Sequence, residues 1–545
     1  MDKQEVLAMY DVRGIQNYIF RTAKVKDAIG ASAIVENIIG DALKYAVKAV
    51  SLGKNSDFVV DLEWCSEEGI CEYAEKGDGK SADVQVLYIG GGNGFVTYSS
   101  KTLCRDINRI MAKYVLEQTY SLQLAIAVVD KNGDYSIDYK NLYDEMNRTK
   151  ADMSFSRPLG ALPVMDVEIK TGYPLVSKEG SFETLLKNRA SERVRASVKH
   201  AEKVFDNYVT EKGIDSTLAV VHIDGNNMGL RIRELVEGCH DYTKAVNTMR
   251  KISFQINSCY KKAFQSMSDF FNENADKHTE FDKKEKKNFV MKVLTAGDDI
   301  TYVCNGKIAL ASVEYFTKRI AGHTLNGLDD RKSIEKYGFS VCAGVAYMGS
   351  HFPFQIGYEV AEACCDHAKD RAKEEKNMDG DRIGNFVDFQ ICRNVQTRNL
   401  SRMREKEYVT SHGEQLLIRP YFIPTDADGE GRFKELKEEN YSFDNFREAV
   451  LFFRETKNMP RSFVKELRNT YSLGENQMNM LYAFLESRNW EMPDKSNELY
   501  YVKNDGNGKA VKTAKWYDAL EMADYYIDLS SIQEEEGHGD SSVEN

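Results

Sequence analysis

The sequence lacks paired cysteines, long apolar runs and an excess of positive charge, and each absence argues against a class of protein. Its ten cysteines include no C-x-x-C pair, so neither a zinc ribbon nor a secreted disulfide framework is indicated. No run of about 18 apolar residues is available to span a bilayer. The first residues, MDKQEVLAMYDVRGIQ, lack the basic segment and apolar run of a signal peptide. We therefore expect a cytoplasmic protein with reduced cysteines and no membrane association.

The charge balance limits the partners. A formal net charge of -12 over 545 residues argues against a broad, nonspecific nucleic-acid surface, although a local basic groove is compatible with it. A small anionic ligand held by a few groups and metal ions fits this balance better. The length corresponds to roughly three to four domains of ordinary size.

What the sequence does contain is a repeated supersecondary pattern. The first copy starts with an apolar run at residues 6–10, a turn with Asp11 and Gly14, and a helix in IQNYIFRTAKV. The second starts with an apolar run at residues 218–223, a turn at Asp224 and Gly225, and a helix in MGLRIRELVEG. The matching order predicts two related domains.

Each copy continues with a hairpin, a helix and another strand. The hairpins are VQVLYIGGGNGFVTY and FVMKVLTAGDDITYV. The following helices are predicted at residues 101–117 and 307–321, and the last strands at 122–130 and 339–348. This order predicts an α+β fold with two ferredoxin-like βαββαβ domains, each with helices on one face of its sheet.

Composition divides the rest of the chain. RPLGALP and a charged helical run, NRASERVRASVKHAEKVFDNYV, separate the two copies, and the apolar spacing in NFREAVLFFRETKNM and NQMNMLYAFLESRNW is helical. The polar stretch DKHTEFDKKEKKNF inside the second copy is typical of a solvated loop. The predicted division is a first domain at 1–150, a connector with a helix at 151–215, a second domain at 216–392, a mainly helical domain at 393–532 and a disordered acidic tail at 533–545.

Three aspartates form the candidate catalytic and metal site. Asp224 ends the first strand of the second copy, and Asp298 and Asp299 form the tip of its hairpin. An adjacent pair of aspartates is by itself more typical of a turn. Asp224 at the partner position and the apolar flanks VLT and ITYV favour a Mg²⁺ or Mn²⁺ site, because nucleotidyl transfer needs the phosphate charge neutralised.

Glycine turns and one lysine are candidates for nucleotide contact. Gly225 and Asn227 follow the first aspartate, where backbone groups at a helix start can approach a triphosphate. The GGGN tip of the first hairpin allows such an approach or simply a tight turn. Lys369, near the end of a predicted helix, is either a phosphate-binding charge or a solvent-facing lysine.

The motifs together resemble a known family. DVRGIQNYIF with GASAIVENI, then YIGGGNGF, HIDGNNMG, TAGDDITYV and CAGVAY…FPF…AEACCDHAK ending in NFVDF occur in an order and spacing similar to the large palm-domain subunit of type III CRISPR effectors. This CRISPR polymerase makes cyclic oligoadenylate from ATP. The similarity covers roughly residues 6–390 and extends more remotely to the GGDEF cyclases.

The resemblance implies a site and a reaction. Two ATP molecules would lie between the two palm, or cyclase, domains, and a 3′-hydroxyl of one would attack the α-phosphate of the other with loss of pyrophosphate. Metal binding would fall to Asp224, Asp298 and Asp299. Nucleotide contact would fall to Gly90, Gly91, Gly92, Asn93, Gly225, Asn227, Gly297 and, less directly, Lys369.

The sequence departs from the family pattern at several places. Ala296 stands where the family usually has the first glycine of GGDD, and Asn226 stands where it often has a second acid. We expect neither the N-terminal HD nuclease of many relatives nor the cysteine-based zinc element that lies between the palms of some relatives. The dipeptide His240–Asp241 has no companion ligands in the sequence and is interpreted as incidental.

We therefore expect a nucleotidyltransferase that converts ATP or other NTPs to a cyclic or linear oligonucleotide second messenger in antiviral defence. A conventional mono- or dinucleotide cyclase and a noncatalytic nucleotide-binding scaffold of an RNA-guided complex are the alternatives. Whether the chain acts alone, as a homodimer or inside a guide-RNA effector complex stays open at this stage.

Overall fold

A computed structural model describes most of the chain. The described residues are 4–21, 25–54, 58–66, 69–73, 82–90, 92–153, 162–169, 171–197, 208–211, 215–236, 238–278, 281, 288–325, 338–393, 399–429, 431–455, 457, 459–488, 490–494, 498–504 and 510–529. The fold is of the mixed α+β class that the sequence predicts. Within these residues, no helix combines the length and the apolar character needed to cross a bilayer.

The first half of the chain builds a five-stranded sheet. Its elements are β1 (Val6–Arg13), α1 (Ile15–Phe20), α2 (Val25–Glu36), α3 (Ile38–Lys54), β2 (Val60–Asp61), β3 (Cys65–Ser66), β4 (Gly69–Ile70), β5 (Val84–Gly90), β6 (Asn93–Tyr98), α4 (Lys101–Thr119), β7 (Gln123–Asp130) and α5 (Tyr135–Asp152). The strand order is β2-β5-β6-β1-β7. All neighbours are antiparallel except β2 and β5.

Both faces of this sheet are covered. Leu7 and Met9 of β1 face a core shared with α5 and the long helix α8 described below, whereas Ala8 and Tyr10 face a core shared with α3 and α4. A strand buried on both faces has no need of polar alternation. This explains the continuous apolar run that opens the chain.

A connector packs against the first unit. It contains β8 (Leu175–Ser177), β9 (Gly180–Ser181) and α6 (Phe182–Ser197). Helix α6 crosses α2 so closely that a Cβ added at Gly30 would lie 1.8 Å from the backbone oxygen of Lys187. Only glycine fits at this crossing.

The second half builds a six-stranded sheet. Its elements are β10 (Thr217–Gly225), α7 (Met228–Val236), α8 (Tyr242–Asn274), β11 (Val290–Ala296), β12 (Asp299–Asn305), α9 (Ala309–Ile320), β13 (Val341–Gly349), α10 (Phe354–Ala372) and β14 (Phe386–Ile391), with 3-10 turns at Ala275–Lys277, Gly306–Ile308 and Glu375–Asn377. The strand order is β11-β12-β10-β13-β14-β15, where β15 is Tyr421–Phe422 and β10 lies between β12 and β13.

The remaining elements pack on the second unit. They are α11 (Leu400–Glu407), β15 (Tyr421–Phe422), α12 (Arg432–Glu438), α13 (Phe443–Arg454), α14 (Arg461–Tyr471), α15 (Glu475–Ser487), β16 (Tyr500–Asn504), β17 (Ala510–Ala514) and α16 (Tyr517–Met522). Strand β15 pairs with β14, so this mainly helical region also supplies an edge to the second sheet.

Several predicted elements shift in the structure. The predicted turn with Asp11 and Gly14 is confirmed at Gly14 and wrong at Asp11, because Asp11 pairs with Asn93 and Ala125 inside β1. The turn falls at Gly14, whose φ of 80° suits glycine. The tail at 533–545, most of the polar insertion and most of RPLGALP lie outside the described residues.

The dipeptide His240–Asp241 serves to start helix α8. Asp241 accepts a hydrogen bond from the Lys244 backbone N–H at 2.7 Å, which caps the helix. His240 Nδ1 lies 2.8 Å from Oδ2 of Asp134 at the start of α5. Both groups thus have local structural roles.

The 33-residue helix α8 ties the two units together, and the sequence reasoning did not identify it. Arg250 is buried in the middle of α8 and donates to the backbone oxygens of Leu87 at 2.6 Å, Val86 at 2.6 Å and Cys71 at 2.5 Å. Strand β5 has a bulge between Val86 and Tyr88. The bulge breaks the pairing with β6, and the guanidinium satisfies the carbonyls at this point.

We predict that Arg250→Met lowers the free energy of unfolding by about 2–4 kcal/mol, because buried carbonyls lose their donors. Urea denaturation at pH 7 measures the effect. Lys251→Met, at the exposed neighbouring position of α8, is the matched control and should change stability by less than about 0.5 kcal/mol. Equal effects of the two substitutions would show that Arg250 does not clamp the bulge.

Candidate functional site

The three predicted aspartates lie at one end of the second sheet. Ile223 of β10 pairs with Ile300 of β12, so the register brings Asp224 beside Asp299. On its other side Asp224 pairs with Cys342 of β13. Asp298 is in the tight turn between β11 and β12, where Ala296 pairs with Asp299. The fold thus brings the three acids together from two neighbouring strands and one turn.

Gly225 makes room for Asp298. A Cβ added at Gly225 would lie 2.8 Å from Oδ2 of Asp298 and 2.8 Å from the hydroxyl of Tyr260. Any other residue would push the carboxylate away from the end of β10. Gly297 has a φ of 65° in the hairpin turn, which glycine adopts without strain. Both glycines are therefore required by the geometry of the carboxylates.

Burial and neighbouring negative charge raise the pKa values of two of the three aspartates. Burial, followed by the charge of Asp224, raises the pKa of Asp298 to about 6. Burial, then Asp224 and then Asp298, raise the pKa of Asp299 to about 8. Neighbouring negative charge thus disfavours ionisation of Asp298 and Asp299, and a cation bound at the site would relieve this repulsion.

Lys369 neutralises part of the negative charge of the aspartates. Its Nζ, on helix α10, donates to Oδ2 of Asp224 and lies 4.0 Å from Oδ1 of Asp366. Its side chain is 21% exposed, so the alternative of a solvent-facing lysine is wrong. Contact with a nucleotide stays a prediction.

The donor set fits a hard divalent cation. Carboxylate oxygens are the ligands that Mg²⁺ prefers, usually one or two of them together with waters and substrate phosphates. Oδ1 of Asp299 is shielded from solvent and makes no hydrogen bond to any described residue. In the described part of the chain, no three His, Cys, Asp or Glu side chains, the neighbouring aspartates included, are arranged to hold a metal ion by themselves. A cation would therefore rely on the aspartates and on non-protein ligands.

The first hairpin carries an analogous but neutral tip. A Cβ added at Gly90 would lie 3.0 Å from Oγ of Ser253 on α8, so close packing explains this glycine. Gly92 has a φ of 78°, and Asn93 pairs with both Asp11 and Gly90. Gly91 lies outside the described residues. Their predicted contact with nucleotide is not tested by these observations.

The first copy nevertheless repeats the aspartate–lysine pair. Asp11 of β1 stands where Asp224 stands in β10, and its Oδ2 accepts a hydrogen bond from Lys150 of α5. Helix α5 follows β7 as α10 follows β13. The two units therefore share one charge pair and differ in the hairpin acids.

The departure at Asn226 has a structural explanation. Its buried Nδ2 donates to Oγ of Ser340 at 3.2 Å and to the backbone oxygen of Gly384 at 3.1 Å. An ionised acid has no proton to donate to that carbonyl. Asn226 thus holds the end of β10 against the starts of β13 and β14, and the next residue, Asn227, adopts a φ of 53° that asparagine tolerates.

Sequence reasoning missed His222. It is buried in β10, and its Nδ1 lies 3.4 Å from Oδ1 of Asp299 and 3.1 Å from Oγ1 of Thr301. Burial lowers the pKa of His222 to about 4, so the ring is neutral at pH 7. Period-two alternation could have identified it, since residues 222 and 224 share one face of a strand.

Comparisons with known proteins find similar solved structures. No family model matches the chain, and no curated protein matches it. The Csm1–Csm4 subcomplex of the type III-A CRISPR-Csm interference complex is 13% identical with a TM-score of 0.49, the match covering 96% of this chain and 69% of that one. A Csm1–Csm4 cassette in complex with cA4 is 14% identical, with a TM-score of 0.48 and coverages of 96% and 70%.

Csm1 from T.onnurineus is 13% identical with a TM-score of 0.47, the match covering 91% of this chain and 65% of that one. Each of these matches extends over more than nine tenths of this chain at low sequence identity.

We predict that Asp299→Asn stabilises the protein when divalent cations are removed with a chelator. The folded-state pKa of Asp299 is about 8, above the value of about 3.9 for an unfolded aspartate. The carboxylate therefore destabilises the fold increasingly as the pH rises from about 4 to about 8. The variant should gain about 1–4 kcal/mol at pH 8 and almost nothing at pH 4.

Denaturant unfolding at the two pH values measures the difference. Asp370→Asn removes an exposed carboxylate from helix α10, one residue after Lys369, and serves as the control. A loss of stability in Asp299→Asn at pH 8 would contradict the electrostatic account of the site.

Proposed function

We propose that the chain is a divalent-metal-dependent nucleotidyltransferase. It joins ATP, or other NTPs, into a cyclic or linear oligonucleotide with release of pyrophosphate, in CRISPR-type antiviral defence. The observation that carries the proposal is the convergence of Asp224, Asp298 and Asp299 at the end of β10, with Gly225 leaving space for the hairpin acid.

The two units are inferred to be palm, or cyclase, domains of the ferredoxin-like type. Support comes from the strand orders β5-β6-β1-β7 and β11-β12-β10-β13, which match each other strand by strand. In both, the first strand of the unit lies in the middle, and the hairpin and the last strand flank it. Active sites assembled at the end of a central strand suit this arrangement because several elements meet there.

In the proposed reaction, the 3′-hydroxyl oxygen of one nucleotide forms a bond to the α-phosphorus of another. The bond from that phosphorus to the bridging oxygen of the leaving pyrophosphate breaks, and the hydroxyl proton is released. A bound Mg²⁺ or Mn²⁺ would supply charge neutralisation at the phosphates. Asp224, Asp298 and Asp299 would hold the cation, and no other role is required of them.

Lys369 is proposed to exchange partners during binding. It neutralises Asp224 in the absence of ligand, and an arriving triphosphate offers a denser negative charge. With the aspartates holding a cation, the Lys369 ammonium group would be available to bind the phosphates. The backbone at Gly225 and Asn227 is proposed to contact the same nucleotide.

We predict that the purified protein, incubated with mixed NTPs and Mg²⁺ or Mn²⁺, forms new phosphodiester products detectable by mass spectrometry. The Asp298→Ala, Asp299→Ala pair should abolish them, because the cation loses its hairpin ligands. Asp370→Ala, at an exposed position of helix α10, should retain activity. Product length separates an oligonucleotide synthetase from a mono- or dinucleotide cyclase.

The absence of any product with either metal, with and without added RNA, would exclude catalysis. If the double variant forms as much product as the parent, the aspartates are not the catalytic site. An inactive parent that still binds NTPs would favour the noncatalytic scaffold. Copurification with RNA or with a second subunit would assign the chain to an effector complex.

Lys369→Ala is predicted to lower product formation by about 10²-fold or more, the usual cost of losing one preorganised donor at a reacting phosphate. Lys373→Ala, one turn later on exposed backbone, is the control. Initial rates over a range of NTP concentrations provide the measurement. Equal rates for Lys369→Ala and the parent would assign Lys369 to charge compensation alone.

A further inference from the structure

We propose that His222 is a positioning residue that orients the Asp299 carboxylate for cation binding by donating a hydrogen bond from Nδ1–H to Oδ1. The proposal rests on the proposed function, since it assigns Asp299 to a cation site. It adds a residue that neither the motifs nor the acid cluster indicate.

One carboxylate oxygen of Asp299 lacks a hydrogen-bond donor among the described residues. Its Oδ1 is shielded from solvent and makes no hydrogen bond within the described part of the chain. A buried carboxylate oxygen without a donor is costly, and Nδ1 of His222 lies 3.4 Å from it. Catalytic hydrogen bonds are often long without ligand and shorten when the site is filled. A shift of a few tenths of an ångström completes this one.

The two oxygen atoms near Nδ1 determine which tautomer His222 adopts. Nδ1 of His222 also lies 3.1 Å from Oγ1 of Thr301. A hydroxyl can accept or donate, whereas an ionised carboxylate only accepts. When a cation is bound and Asp299 is ionised, a proton on Nδ1 gives Oδ1 of Asp299 a donor, while a proton on the other ring nitrogen leaves it without one. The arrangement of the two acceptors selects the Nδ1–H form.

Aromatic packing fixes the orientation of the His222 imidazole. Tyr358 of α10 packs against His222 edge to face, with ring centroids 5.6 Å apart. Tyr358 in turn stacks on Phe20 of α1 at 3.4 Å and 11°. The ring of His222 thus lies between the strand and an aromatic pair shared by both units, which limits its rotation. A donor with restricted rotation is what a positioning role needs.

Two substitutions at His222 distinguish the contribution of its N–H donor from that of its aromatic ring. His222→Asn keeps an N–H group near the position of Nδ1 and loses the ring, whereas His222→Phe keeps an aromatic ring against Tyr358 and loses the donor. Outer-shell partners of metal ligands typically contribute about 10- to 100-fold to metal affinity. We expect His222→Phe to weaken Mn²⁺ binding by that factor and His222→Asn to stay within about threefold of the parent.

Mn²⁺ binding is measured from the loss of the free-ion electron paramagnetic resonance signal, without nucleotide and independent of turnover. Asp299→Asn defines the binding that belongs to the site, and thermal unfolding confirms that each variant is folded. His222→Leu, which also lacks the donor and is smaller than phenylalanine, replaces His222→Phe if the larger ring prevents folding.

The outcomes distinguish this proposal from the proposed function. If Asp299→Asn binds Mn²⁺ as tightly as the parent, the metal assignment is wrong and the role of His222 fails with it. If Asp299 is needed but His222→Phe binds as tightly as the parent, the role of His222 alone is wrong. Equal weakening in the phenylalanine and asparagine variants would show that packing, and not the hydrogen bond, is what His222 provides.

Discussion

Mutual repulsion among Asp224, Asp298 and Asp299 is the constraint on which the second unit depends. The sheet register brings these acids together, and the missing side chain at Gly225 lets Asp298 approach. Lys369 offsets part of the charge from helix α10. The remaining imbalance is expressed as raised pKa values for two of the acids. A site with this stored electrostatic cost gains more from a cation than an isolated carboxylate does.

The duplication explains why only the second unit carries the electrostatic cost of crowded carboxylates. Asp11 and Lys150 repeat the pair formed by Asp224 and Lys369, so both units contain one balanced charge pair at the end of a central strand. The first hairpin adds Gly92 and Asn93, which bring no charge. The first unit is therefore electrostatically satisfied without a ligand, and its helices can contribute packing to the second, as Phe20 does against Tyr358.

Local patterns predicted the central strands, the hairpins and the helices that follow them, because each depends on apolar spacing and turn residues within a short segment. The turn at Asp11 was misplaced because an acid was taken to end a strand, whereas Lys150, 139 residues away, lets it stay inside. The long helix α8 escaped prediction, and its key contact, Arg250 on the bulge of β5, joins residues 163 positions apart. Contacts of that range leave no local signal.

At the site, the aspartates could be predicted from local sequence, whereas Lys369 and His222 could not. The aspartates were identified because the expected hairpin brings Asp298 and Asp299 close to Asp224, and crowded carboxylates are destabilising unless a cation compensates them. Lys369 and His222 act through packing of α10 against β10, and neither the angle nor the register of a helix on a sheet can be read from one sequence. Since Lys369 and Tyr358 occupy the same helix, a movement of α10 would change the ion pair of Lys369 with Asp224 and the packing of Tyr358 against His222 together. Helix α10 is thus the element through which the first unit can influence the carboxylates.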